Sequence, residues 1–237
     1  MAEKNANYLV HYTDDTVGKP LSLHGQYDLF MKTSWHGKIT AVQPRIRLTR
    51  SFDERHHSYL GYSLRVDGTV GDTKSEFCVG IGKETQARHE FYAGCEASGA
   101  CEPVVDPRLE SDEFYKASGL EVLNRPDVGN NHPPPWLGIP PALEIYRARG
   151  HRRLDARTYE SKCLSCIWGC RMAVEMIVDH WNPSQKRYRF ETFCYGPKSC
   201  AFHKAGPTRK VPGRKGMSYE EADWVDEEAT AHRQPDE

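Results

Sequence analysis

The stretch from Tyr59 to Phe91 reads YLGYSLRVDGTVGDTKSEFCVGIGKETQARHEF, and its alternation of short runs decides the fold. Tyr59 to Val66 (YLGYSLRV) and Glu76 to Gly82 (EFCVGIG) are short apolar and β-branched runs of the kind that form strands. Asp67-Gly68 and Gly71-Asp72 lie between them and supply turn chemistry. Lys83 to Phe91 (KETQARHEF) reads as a short helix. Working outward, Gly37 to Arg50, Cys95 to Val104 and Phe114 to Leu123 add three more strand-like runs. The expectation is a mainly β chain with five strands and one helix between the third and fourth.

That order resembles the five-stranded oligonucleotide/oligosaccharide-binding (OB) barrel. An SH3-like barrel or a small sandwich has the same strand count, so the resemblance is one of pattern. Cys78, Cys95 and Cys101 fall on or beside these runs and read as buried structural cysteines. Two nearby features invite a functional reading and fail it. Gly80-Ile-Gly82-Lys83 lacks the spacing and the Ser or Thr of a phosphate-binding loop, because Glu84 follows the lysine. His56 and His57 would point to opposite faces of a strand, and they read as a solvated loop.

The chain has 237 residues with 32 Lys and Arg against 33 Asp and Glu. The near-zero net charge conceals a division. Residues 1–144 carry 15 basic and 20 acidic side chains, residues 145–216 carry 16 and 5, and residues 217–237 carry 1 and 8. Proline marks a second boundary, with six of the fifteen between Asn124 and Gly150. The expected organisation is an OB-like barrel over 1–123, a Pro-rich linker over 124–144, a basic Cys-rich module over 145–216 and an acidic tail over 217–237. A short helix is expected from Leu143 to Arg147. No apolar run reaches the length needed to span a bilayer, and the first seven residues lack the apolar core of a secretory signal. The expectation is a cytoplasmic protein with no membrane partner, in a compartment where clustered cysteines read as metal ligands before disulfides.

Five of the eight cysteines are so clustered: Cys163-x2-Cys166-x3-Cys170-x23-Cys194-x5-Cys200. Between them, Arg171 to His180 and Lys186 to Phe193 read as a hairpin that returns the second cysteine group to the first. Two Cys pairs flanking a hairpin resemble a zinc ribbon, a resemblance covering about residues 160–204, and a tetrahedral thiolate site for Zn²⁺ is the chemistry it implies. The outermost pairs, Cys163, Cys166, Cys194 and Cys200, form the expected ligand set, with Cys170 and His203 as alternates. Three closely spaced cysteines and a distant fourth also suit a [4Fe-4S] cluster, which would imply a redox or electron-transfer protein.

The basic block carries Arg152, Arg153 and Arg157 before the cysteines. Lys186, Arg187 and Arg189 alternate with Tyr188 and Phe190 on the hairpin, and Arg209, Lys210, Arg214 and Lys215 sit in a Gly- and Pro-bounded arm. Cations release counterions from phosphates, and interleaved aromatics stack bases. A barrel followed by a metal ribbon resembles prokaryotic OB-fold plus zinc-ribbon proteins that bind nucleic acid. The expected function is a metal-containing, non-enzymatic protein contacting single-stranded nucleic acid or structured RNA through Arg152, Arg153, Arg157, the hairpin residues including Tyr188, and the arm. A scaffold subunit docking a protein partner is the other class, and no motif gives positive evidence for an enzyme. The tail is expected to form a helix from Ser218 and to fold back on the basic module.

Overall fold

A computed structural model describes residues 32–127, 133–182 and 184–236. The first 31 residues of the expected barrel segment and positions 128–132 of the expected linker lie outside the described residues. Two long strands, β1 (Thr33–Arg50) and β2 (Arg55–Val70), pair antiparallel from Trp35 opposite Val70 to Arg50 opposite Arg55. Then follow β3 (Thr73–Ile81), α1 (Lys83–His89), β4 (Glu96–Pro103) and β5 (Phe114–Asn124). β2 pairs β3, β5 pairs β4 and β4 pairs the first residues of β1, all antiparallel; a parallel contact of Val79 with Phe114 joins β3 to β5. Five strands thus close a ring that is loosely barrel-like.

The strands and the helix fall where the apolar runs place them. The turn is different: Asp67-Gly68 continues β2, and the chain reverses at Gly71-Asp72, where Gly71 has φ 55°. Gly68 serves another purpose. It faces Gly37 across the ladder, and a Cβ on Gly68 would lie 2.2 Å from the His36 carbonyl oxygen. The two strands approach closely here because neither residue has a side chain. Ile39, Val42, Leu64, Val66, Phe77 and Val79 fill the ring together with Cys95 and Cys101, both fully buried.

The second half of the chain joins the same sheet. After α2 (Leu143–Arg149) come a two-residue strand, β6 (Arg152–Arg153), the single turn α3 (Ala156–Thr158) and a π-helical turn over Tyr159–Cys163. β7 (Gly169–Ile177) and β8 (Lys186–Cys194) form the expected hairpin. β7 pairs in parallel with Arg47–Arg50 at the end of β1, so the eight-stranded sheet runs β2-β3-β5-β4-β1-β7-β8-β6. Unpaired backbone at a strand edge is a template for another strand, and β7 takes that edge. Cys170, Met172, Val174 and Phe193 enter one core with the ring residues. Within residues 145–216, β6, β7 and β8 therefore share a sheet with the ring, while Leu154, Tyr159, Cys163, Cys166 and Cys194 form a second buried cluster.

The arm is not a loop. β9 (Arg209–Pro212) pairs antiparallel with β10 (Ser218–Glu221), and the tail helix α4 (Asp223–Thr230) begins five residues later than its expected start. Opposite charges lie across this ladder, Lys210 opposite Glu220 and Arg209 opposite Glu221, an arrangement that favours a strand pair. Part of the Pro-rich segment is also packed. The Trp136 carbonyl accepts the Ile167 N–H at 2.9 Å, and the Pro141 carbonyl accepts the Tyr62 hydroxyl at 2.8 Å. No described helix is long and apolar enough to cross a membrane.

Candidate metal centre and basic surface

β7 and β8 bring the cysteine groups to one end of the hairpin, where Gly169 stands opposite Cys194. Cys163, Cys166, Cys194 and Cys200 line one small cavity together with Trp136, Leu154, Trp168 and His203. Its volume of about 10 Å³ is that of a single water-sized body. Cys170 is elsewhere. It is the second residue of β7, its side chain is fully buried in the main core, and its thiol donates to the Pro44 carbonyl at 3.3 Å. Strand alternation explains the separation, because Cys170 faces inward from the sheet while Cys194 ends β8 one position past its neighbour Phe193 and the other three sit on turns around that end.

The cavity wall is held by hydrogen bonds from the ring. Gln43 of β1 donates its side-chain amide to the carbonyls of Cys163 at 2.9 Å and Cys166 at 2.8 Å, and its Oε1 accepts from the Tyr159 hydroxyl at 2.7 Å. Burial raises the Cys163 thiol to about 12, with Cys166, Cys194 and Cys200 adding to the rise. Burial likewise raises Cys166 to about 11, against hydrogen bonds from the backbone of Trp168 and Trp136. Cys194 is raised by burial, and its sulfur accepts the Gly196 N–H at 3.4 Å. Trp168 and Gly196 each lie two residues after a cysteine, so the two sides of the hairpin present the same local device. Backbone N–H groups directed at sulfur favour its charged form.

Among the described residues no three His, Cys, Asp or Glu side chains form a group poised to hold a metal ion. The donor chemistry nonetheless fits a thiophilic cation. Four thiols line one cavity, two of their sulfurs accept backbone N–H bonds, and His203 on the same wall has a buried Nε2 with no hydrogen-bond partner. Burial lowers His203 to about 4, so its imidazole is neutral at ordinary pH. A neutral imidazole and thiols that shed their protons to a cation are zinc ligands.

The basic residues divide sharply. Arg153 is buried and pairs with Asp226 at 2.9 Å and with Asp223, while also donating to the Pro207 and Glu221 carbonyls. Arg209 is buried against Glu191 at 2.8 Å and lies over the Phe193 ring. Both are structural cations held by carboxylates. Arg189 pairs Glu191, Lys186 pairs Glu175, Lys210 pairs Glu220 and Arg214 pairs Asp179. Arg152 donates to the Pro197 and Lys198 carbonyls, and Tyr188 lies under Arg108. Arg157, Arg187 and Lys215 are exposed. The tail does fold back on the basic residues and binds buried ones foremost, with Glu221 joining Arg50 and Asp226 joining Arg153, while Glu220 meets exposed Lys210.

Reading the sequence missed Gln43, whose role depends on a partner more than a hundred residues away. It also missed His57. Expected in a solvated loop, His57 lies within β2, with its ring centroid 4.8 Å from that of His151.

No protein-family model matches the chain, and neither a curated protein nor a solved structure matches it.

Proposed function

We propose that this chain is a zinc-thiolate protein that binds single-stranded nucleic acid or structured RNA. The observation that carries the reading is the convergence of Cys163, Cys166, Cys194 and Cys200 on one cavity while Cys170 leaves it for the core. Four thiolates complete a tetrahedral zinc shell, with His203 the nearest substitute for the more exposed Cys200. The size of the cavity favours one ion over a four-iron cluster. Zinc bound here staples the β7–β8 hairpin to the turns at 163–166 and 197–203, and its role is structural.

The strand order β1-β2-β3-β5-β4, returning to β1 with α1 between β3 and β4, supports an OB-type ring. Such rings commonly carry oligonucleotides on a sheet face, and fold likeness alone is weak warrant for function. The added support is electrostatic: exposed Arg187 and Lys215 adjoin the ion-paired Lys186 and Arg214 in the chain, and exposed Arg157 lies at the cysteine end.

The test is elemental analysis of purified protein alongside single Cys→Ser variants. About one zinc per chain is expected. Cys163→Ser, Cys166→Ser and Cys194→Ser are expected to lose it, whereas Cys170→Ser retains it. Iron with visible absorbance, or loss of metal from Cys170→Ser, overturns the metal reading. Fluorescence anisotropy with labelled oligonucleotides tests the binding reading, which fails if no strand binds at low salt.

A further inference from the structure

Three chain reversals meet at the end of the sheet remote from the cysteines. They are the β1–β2 turn with Phe52, the β7–β8 tip with Trp181, and the β9–β10 turn with Met217. His180 Nε2 stands 3.5 Å from Asp53, and Arg214 Nε stands 3.7 Å from Asp179, so the β7–β8 tip is tied to both other turns. Gly213 sits between Phe52 and Met217: a Cβ there would lie 3.0 Å from the Phe52 ring and 3.4 Å from the Met217 Cβ. Phe52 in turn meets Tyr219 of β10 edge to face, with centroids 6.2 Å apart.

These side chains face water. Trp181 is 82% exposed, Met217 51% and Phe52 39%. A large indole left almost fully in water at a hairpin tip contributes little to the core, and exposed apolar patches rimmed by polar groups mark interaction sites. The rim carries both signs: Glu54 is exposed in the β1–β2 turn, Lys186 and Arg55 pair Glu175 and Glu221, and Arg187 and Lys215 are its exposed cations with no carboxylate partner among the described residues. Lys186 and Arg187 open β8 directly after the tip, Arg214 and Lys215 form the β9–β10 turn, and Arg55 and His56 begin β2. Asp53 and Asp179 are engaged by His180 and Arg214. On the far side, α4 carries Asp223, Asp226, Glu227 and Glu228 around Trp224, which repel phosphate and bound the patch at Tyr219.

We infer that Trp181, Phe52 and Tyr219 form a stacking platform for the bases of single-stranded nucleic acid, with Arg187 and Lys215 contacting its phosphates. The inference rests on the nucleic-acid reading above and adds the aromatic faces, which that reading does not name. Aromatic faces accept any base, and flanking cations follow the backbone, which is the chemistry of strand binding without sequence readout. Exposed Arg187 and Lys215 beside aromatic faces favour a polyanion with exposed bases over an acidic peptide, whose carboxylates cannot stack.

The experiment is fluorescence anisotropy of the full zinc-loaded chain with labelled single-stranded dT20, its RNA counterpart, duplex DNA and poly-glutamate, across a salt series. Trp181→Ala and Phe52→Ala replace side chains at exposed tips, and thermal melting confirms that each variant folds. Trp181→Ala is expected to weaken strand binding about tenfold or more. Lys215→Ala is expected to lower the log–log salt slope by about one. Unchanged affinity in both aromatic variants, with wild type binding strands, overturns the platform and leaves the nucleic-acid reading standing. Absence of any strand binding by wild type overturns both. Duplex or poly-glutamate bound as tightly as single strands also overturns the platform.

Discussion

Gln43 holds the cysteine turn by its backbone: its Nε2 lies 2.8 Å from the Cys166 carbonyl oxygen and 2.9 Å from that of Cys163. A side chain from the first strand of the ring therefore sets the position of residues more than a hundred places later. Removing it leaves the Tyr159 hydroxyl unpaired and takes one of two hydrogen bonds from each carbonyl, which keep the Cys166 and Gly169 N–H groups. Gln43→Ala is expected to cost about 2–4 kcal/mol, since an unsatisfied buried group costs roughly 1–3 kcal/mol and each lost hydrogen bond about 0.5–1.5 kcal/mol. Urea unfolding measures this, and Tyr159→Phe, which removes one bond, is expected to cost less.

Gly169 makes the same contact possible from the other side. A Cβ there would meet Gln43 Nε2 at 2.7 Å and the Cys163 carbonyl oxygen at 2.8 Å. Gly169→Ala is expected to destabilise the fold by about 1–3 kcal/mol and to weaken zinc retention against a chelator. Gly216→Ala is the contrast for zinc retention: nothing lies within 4 Å of its Cβ, so any cost there comes from its φ of 79° and leaves the metal bound.

The tail is expected to be structural. Arg153 is almost wholly buried, and Asp226 holds both its Nε and its backbone N–H. Removing one partner of a buried pair typically costs about 3–5 kcal/mol, so Asp226→Ala is expected to lower the midpoint of unfolding markedly. Deleting residues 218–237 would strip carboxylates from both Arg50 and Arg153. A truncated chain that melts like the full one would refute this.

The His57–His151 contact makes stability sensitive to acid. Burial lowers His57 to about 4 from an ordinary 6.5, assisted by Arg55, Arg50 and His56 and opposed by Glu221. Burial also holds His151 well below its ordinary value, with His57 and Arg209 adding to the effect. Below pH 6.5 the unfolded chain takes a proton that folded His57 refuses, so its contribution to stability falls between pH 6.5 and about 4. Asp112 has the opposite slope, because burial raises it to about 7. The informative quantity is the difference between wild type and His57→Gln. Relative to the variant, wild type is expected to lose about 2–3 kcal/mol over that interval, measured by urea unfolding at each pH.

Much of the ring was legible from short runs of apolar residues between turn residues. Such runs follow from a local rule, since a strand buried on one face alternates. The helix at Lys83 was legible for a similar reason, and so was the hairpin between Cys170 and Cys194. The Asp67-Gly68 pair misled because glycine serves both reversal and close approach, and only the neighbour at Gly37 distinguishes the two. The arm and tail misled because Arg209 to Pro212 and Ser218 to Glu221 look polar and open in isolation. They become strands by opposing each other.

The cysteine cluster shows the same division. Spacing alone identified five candidates and the hairpin that returns them to one place. It left Cys170 undecided, because a sequence interval records distance along the chain and not the face of a strand. Strand parity, fixed by the pairing of β7 with β1 and β8, turned Cys170 into the core and left Cys163, Cys166, Cys194 and Cys200 around the cavity. The charge pattern was likewise visible as segments, but segments do not say which cations face water. Burial decided that: Arg153 and Arg209 bind carboxylates inside the fold, where a charge must be paired, and Arg157, Arg187 and Lys215 are left outside. Local composition determined the elements, and long-range packing determined their roles, because desolvation depends on neighbours that the chain brings together only by folding.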